Sequence, residues 1–168
     1  MRMKNKLAAL FFLFLFVFSA AVLPAQSDAA SVRELYREGL SAYREENYYR
    51  AIELYKTALD LSPAYLDPIR GLAESYFLLG EYREAMNWCE KALRYDKNSL
   101  TVKTLQARIF IGLGEYRKAE GLFQEVLEVE PYNFEAQFGM AELDIVRGRT
   151  LQARLWYEKA LNLRPENR

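Results

Sequence analysis

The sequence predicts an all-α protein: a solenoid of four helix hairpins preceded by an apolar N-terminal leader. Three observations carry that prediction. Leu79 to Ala85 reads LGEYREA, and thirty-four residues further on Leu113 to Ala119 reads LGEYRKA. Small residues, glycines and prolines recur at the same 34-residue step from Val32 onward. The first thirty residues have a composition unlike the rest. A fixed period of roughly 20–50 residues marks stacked supersecondary units, none of which buries its apolar face alone.

The leader comes first. Met1 to Lys6 carries Arg2, Lys4 and Lys6 and no acid; Leu7 to Leu23 is interrupted only by Ser19; Ala25, Ser27, Ala29 and Ala30 then supply small residues. That is the three-part plan of a secretory signal peptide, expected over residues 1–26, with 27–31 as a linker. Two fates fit. The leader is removed after export, or it is retained as an anchor, its apolar run lying at the short limit of the roughly 17–25 residues a bilayer span needs. Pro24 and the small residues after it favour removal. Either way the expectation is a protein exported to the periplasm or cell envelope, or secreted where there is no outer compartment, touching a membrane only through this segment. Loss of the leader's three cations would leave the remainder mildly acidic.

The repeats follow as windows 32–65, 66–99, 100–133 and 134–167, aligned without insertion. One column holds Gly39, Ala73, Ala107 and Ala141, a second Glu46, Gly80, Gly114 and Gly148. Two more hold Ala51, Ala85, Ala119, Ala153 and Ala58, Ala92, Val126, Ala160; a fifth holds Pro63, Lys97, Pro131 and Pro165. The glycines fall where the first helix of each window must end, because glycine takes a left-handed conformation without steric cost. The prolines stop the second helix. The alanine columns lie seven apart on one helix face and let two axes approach closely. Tyr48, Tyr82 and Tyr116, and Tyr55, Phe123 and Tyr157, supply the bulk beside them.

Taken together, small residue, Gly, Tyr, Ala, aromatic, Ala and Pro in a 34-residue frame resemble the tetratricopeptide repeat (TPR) family over residues 32–167. The resemblance implies four TPR repeats in a right-handed superhelix, first helices lining a concave face and second helices outside. It places first helices at 32–45, 66–79, 100–113 and 134–147, and second helices at 48–61, 82–95, 116–129 and 150–163. Departures are local. Glu46 stands where a glycine is expected, and neighbouring Asn47 is expected to take the left-handed turn. Cys89 replaces an aromatic and Lys97 a proline in the second repeat; Asp144 and Thr150 break aromatic columns in the fourth.

The resemblance also implies that the concave face holds an extended or helical segment of another protein. Its lining would be Arg33, Tyr36, Arg37, Leu40, Tyr43 and Arg44 in the first repeat, and Asp67, Arg70, Glu74, Phe77 and Leu78 in the second. The third would add Thr101, Thr104, Leu105, Arg108 and Ile111, and the fourth Glu135, Phe138, Glu142 and Ile145. Arginines among aromatics suit peptide recognition. Two readings of the arginines stand: an acidic stretch of a partner meets Arg37, Arg70 and Arg108, or the arginines pair within the chain, as Arg70 would with Glu74 at i,i+4. One branch of the family grips a partner's C-terminal carboxylate with Lys, Asn and Arg; the matching positions here read Tyr36, Leu40, Gly71, Thr101 and Leu105, so that mode is not expected. With the sequence closing at Arg168, an open end face including Leu155, Trp156 and Leu163 is expected to suit a partner or a second copy.

Other functions find no support in the residues. The chain has no histidine and one cysteine, and its 23 basic residues balance 23 acidic ones. A nucleic-acid footprint would need a basic excess. No phosphate loop, activated nucleophile, metal set or cofactor motif occurs. Cys89 is expected to be a buried small hydrophobe. The expectation is a non-catalytic adaptor without cofactor, holding a protein segment in its groove. The alternative is a structural subunit of an outer-membrane, secretion or pilus assembly. A carbohydrate-binding role rests on the aromatic count alone.

Overall fold

The computed structural model describes residues 29–163, so the expected leader and the first two residues of the expected linker, 27–31, lie outside the described residues, and the rest of that linker is helical. Among the described residues there are eight helices and no strand: α1 (29–44), α2 (Tyr48–Leu61), α3 (Leu66–Leu78), α4 (Tyr82–Tyr95), α5 (Leu100–Gly112), α6 (Tyr116–Val129), α7 (Phe134–Val146) and α8 (Thr150–Leu163). The second helices have the bounds the period places. The first helices end one residue earlier than expected, because Leu79, Leu113 and Arg147 are their C-caps. The first helix is already under way at residue 29, ahead of the expected 32.

Each hairpin turn is closed in the same way. The N–H of Gly80 donates to Phe77 O and that of Glu81 to Tyr76 O, the paired bonds of a Schellman motif. Gly114 with Glu115, and Gly148 with Arg149, repeat it. These glycines have φ of 74–76°. In the first turn Glu46 itself takes φ 60°, not Asn47. The reason is register: Glu46 N–H bonds Tyr43 O and Asn47 N–H bonds Ala42 O, while Asn47 Oδ1 accepts from Arg50 N at 3.2 Å as the N-cap of α2. Asn47 is occupied as a cap, and the strain falls on the residue before it.

Consecutive helices pack against one another, and first helices also meet first helices: α3 touches α5, and α5 touches α7. The second helices α4, α6 and α8 do not meet one another. The stack is therefore tighter on the side of α3, α5 and α7, which makes that the inner side. Small residues permit the close approach. Ala51, Ala85, Ala119 and Ala153, with Ala73, Ala107 and Ala141, are fully buried. Around them lie two apolar clusters, one built on Tyr55, Ile69, Leu72 and Cys89, the other on Phe123, Met140 and Leu143.

The aromatics of the second helices reach into the next repeat. Tyr55 of α2 lies between Gly39 of α1 and Gly71 of α3; a Cβ on either would stand 2.5–2.6 Å from its ring. Phe123 of α6 lies likewise against the bare Cα of Gly139 on α7. In the second repeat the sizes invert: Cys89 is small, and Leu105 occupies the position of Gly71 and Gly139 and packs on the cluster that contains Cys89. Asp144, in an aromatic column, is buried and held by Arg149 at 2.6 Å, while Arg147 binds Glu120 at 2.8 Å. The fourth repeat thus places an ion-pair network where the second and third place the rings of Tyr76 and Phe110.

Candidate functional site

On the inner side, between α1, α3, α5 and the start of α7, a hollow of about 430 Å³ opens. Nine of the residues expected in a groove meet there: Tyr43, Glu74, Phe77, Leu78, Thr101, Thr104, Leu105, Arg108 and Glu135. Asn133 completes the rim. Sequence reading missed it because it lies before its helix; the available signal was its capping role, Asn133 Oδ1 accepting from Ala136 N at 2.9 Å.

The lining of the hollow is part apolar and part polar, with Phe77, Leu78 and Leu105 its large apolar side chains. Thr104 uses its hydroxyl inside its own helix, donating to Leu100 O at 2.9 Å, and so presents its methyl. One turn before Phe77 and Leu78 on the same helix, Glu74 sits half-buried. Burial pushes its carboxyl above the usual range, opposed by the Arg70 charge and by the Tyr43 hydroxyl that hydrogen-bonds it. The same burial, with Glu74 beside it, pushes the Tyr43 phenol up to about 12.

The arginines are held by carboxylates of the chain itself. Arg70 pairs with Asp67, three residues back, and not with Glu74 as the i,i+4 spacing suggested. The Asp67 carboxylate lies one turn back on the same helix, and the Arg70 charge still acts on Glu74 from beyond ion-pair distance. Arg108 lies over the Phe77 ring, its Cζ 4.8 Å from the ring centre, and bonds Glu142 at 3.2 Å, one full period away. Arg37 pairs with Glu34 at 3.4 Å and is mostly exposed. All three arginines expected to meet an acidic partner thus pair within the chain, as the second of the two readings has it, Arg37 in a mostly exposed pair.

The remaining expected residues are dispersed. Arg33 and Arg44 stand exposed on α1, and Leu40 is half-buried there. Tyr36 turns inward, 5.9 Å from Tyr55 and 5.7 Å from Tyr65 between ring centres. Ile111 packs on the second apolar cluster. Phe138 stacks on Phe134 and meets Tyr157 edge-on at 5.3 Å, with Ile145 exposed on the same helix.

Of the expected end face, Trp156 is half-buried on the second cluster and lines a notch with Leu127, Pro131 and Tyr132. Leu155 is exposed, but it stands at the period position of Gly121 and Asn87, both solvent-facing, so it lies on the outer side. The position equivalent to Tyr55 and Phe123 is Tyr157. Leu163 closes α8, and its side chain lies outside those described. Among the described residues no group of acids and cysteine could hold a metal, and no helix is long and apolar enough to cross a membrane.

Two models of the tetratricopeptide repeat family match the chain, over residues 42–109 and 104–168. Among curated proteins, the mouse DnaJ homolog subfamily C member 7 is 26% identical over 113 residues, 67% of this chain and 22% of that protein. The TPR repeat-containing protein YsoA of Bacillus subtilis is 32% identical over 95 residues, 56% of this chain and 28% of that protein. The chain thus spans less than a third of either relative. Among solved structures, a thermophilic TPR protein of Thermus thermophilus superposes with TM-score 0.74 at 17% identity, over 80% of this chain and 75% of that one. The first TPR domain of Spaghetti (RPAP3), bound to an HSP90 peptide, superposes with TM-score 0.64 at 22% identity, over 71% of this chain and 94% of that one.

Proposed function

The chain belongs to the tetratricopeptide repeat family, and on that premise we propose that it is a non-catalytic adaptor, acting outside the cytoplasmic membrane, that holds a segment of a partner protein in the groove over α3, α5 and α7. The observation that carries this reading is the inner hollow, which brings Phe77, Leu78 and Leu105 together with Glu74 and Arg108. Its size and mixed walls suit a few side chains of a bound segment. A solved relative of the same fold is bound to a peptide, which is in keeping with this use. The C-terminal carboxylate clamp is not proposed here, since Tyr36, Leu40, Gly71, Thr101 and Leu105 supply no cation.

The test is capture from the native envelope by wild type, by Phe77→Ala with Thr104→Trp, and by Trp156→Ala, with helix content checked by circular dichroism. Loss of a bound protein in the groove variant alone supports the reading; equal capture by folded groove variants sinks it. Export rests on the charged start and apolar run of residues 1–26. Fusing residues 1–31 to a reporter active only after translocation tests it, and an inactive, cytoplasmic reporter refutes it.

A second reading, a structural subunit of an envelope assembly, is favoured by the exposed apolar residues crowded into the last repeat: Phe138, Ile145, Val146, Leu151 and Leu155. It predicts that changes at Leu151 and Leu155, and not in the groove, release the chain from its complex.

A further inference from the structure

We infer that the segment seated over α3, α5 and α7 is apolar and basic: it sets a large apolar side chain against Phe77, Leu78 and Leu105 and a lysine or arginine toward Glu74 and Glu135. The inference rests on the groove reading above and specifies its partner. Three observations carry it.

The first is the charge of the floor. The groove positions of α3, α5 and α7 bear two guanidiniums, Arg70 and Arg108, and four carboxylates, Asp67, Glu74, Glu135 and Glu142. The floor is therefore net negative, and both Glu74 and Glu135 line the hollow itself.

The second is what an acidic partner would have to undo. Arg70 is held by Asp67, and Arg108 by Glu142 and by the face of Phe77. An incoming carboxylate would compete for guanidiniums already engaged and would face the carboxylates it displaced. Like charges brought together at an interface are strongly disfavoured.

The third is the state of Glu74. It is half-buried on the floor, and the Arg70 charge and the Tyr43 hydroxyl only partly offset its burial. A partner cation arriving there meets a carboxylate in a less polar setting than bulk water, where the attraction is stronger. The arginines of α1 do not alter this: Arg33 and Arg44 stand exposed, Arg37 is held by Glu34, and none of them lines the hollow.

The experiment selects a random dodecapeptide phage library on the full 168-residue chain in mild detergent. A Thr104→Trp variant that fills the hollow is the counter-target, and thermal melts establish that each variant is folded. The expected peptides are lost on Thr104→Trp and pair a large apolar residue with Lys or Arg. They bind about tenfold or more weakly to Glu74→Gln with Glu135→Gln, and more weakly as salt rises. Glu135→Lys should turn the selection toward Asp and Glu. Groove-dependent peptides that are acidic, or that ignore the Gln variants, overturn the inference while the groove reading stands. Peptides that bind Thr104→Trp as well as wild type, or no groove-dependent peptide at all, remove the groove reading and the inference with it.

Discussion

The ring of Tyr55 lies against the bare Cα of Gly71, so that a methyl group on Gly71 would stand 2.6 Å from Tyr55 Cε2. Tyr55 belongs to one hairpin and Gly71 to the next, and the contact sets how close two repeats come. Gly71→Ala gains about 1 kcal/mol of helix propensity but forces the ring from its seat, a clash that costs about 1–3 kcal/mol. The net expectation is destabilisation, read as a lower urea midpoint. In a Tyr55→Leu background the same alanine should be neutral or stabilising. If Gly71→Ala raises the midpoint in the wild-type background, the close contact does not govern the spacing.

The inverted pair offers a swap. Cys89→Phe alone overfills the cluster and is expected to cost about 1–3 kcal/mol. Adding Leu105→Gly recreates the arrangement of Phe123 over Gly139, and the double variant should be more stable than the sum of its singles. A double-mutant cycle on denaturant midpoints measures that coupling; additivity within error would mean the two sites do not share a space.

Glu46 is the non-glycine residue with positive φ among the described residues. An L side chain there costs about 1–2 kcal/mol, and the greater chain entropy of unfolded glycine offsets part of the gain from removing it. Glu46→Gly is therefore expected to stabilise by about 0.5–1 kcal/mol, a rise of a few degrees in Tm. Asn47→Ala should do the reverse, losing a cap worth about 1 kcal/mol. A destabilising Glu46→Gly would show that its side chain does more than fill the turn.

Glu74 gives a pH dependence of defined sign. Its folded-state pKa lies above the ordinary glutamate value because burial disfavours the charged form. Between the ordinary value and the raised one the folded chain holds the proton more tightly than the unfolded chain. Stability from this group is therefore highest below the ordinary value and falls as pH rises through the raised one. Denaturation followed across the weakly acidic range should show a negative slope that flattens in Glu74→Gln. An unchanged slope would assign the dependence elsewhere.

Cys89 is expected to be inert. Burial, reinforced by the charges of Glu74 and Glu90, pushes its thiol up to about 12. A disulfide reagent should label it only after denaturant is added, at a rate set by opening of the stack; rapid labelling of the native chain would contradict its buried place.

Much of this was legible in the sequence, for a physical reason. Helix ends depend on neighbours a few residues apart, so Gly80, Gly114 and Gly148 announced their turns, and the alanine columns announced which faces meet. The groove was legible as positions but not as chemistry. Arg108 and Glu142 are thirty-four residues apart, and only stacking brings them to 3.2 Å. Arg70 had two carboxylates within helical reach, and spacing alone does not choose between Asp67 and Glu74. The left-handed residue of the first turn fell on Glu46 because Asn47 was already needed as a cap, a competition between two local demands.

What the sequence determined by itself is the repeating unit: two helices, a turn and a small-residue seam, all set by contacts within a few residues or by a strict period. What only the tertiary structure decided is the charge that the groove shows to a partner. Electrostatics there is a sum over side chains from different repeats: Arg37 and Arg70 take carboxylates of their own helices, whereas Arg108 takes Glu142 only because the superhelical stacking brings it within reach.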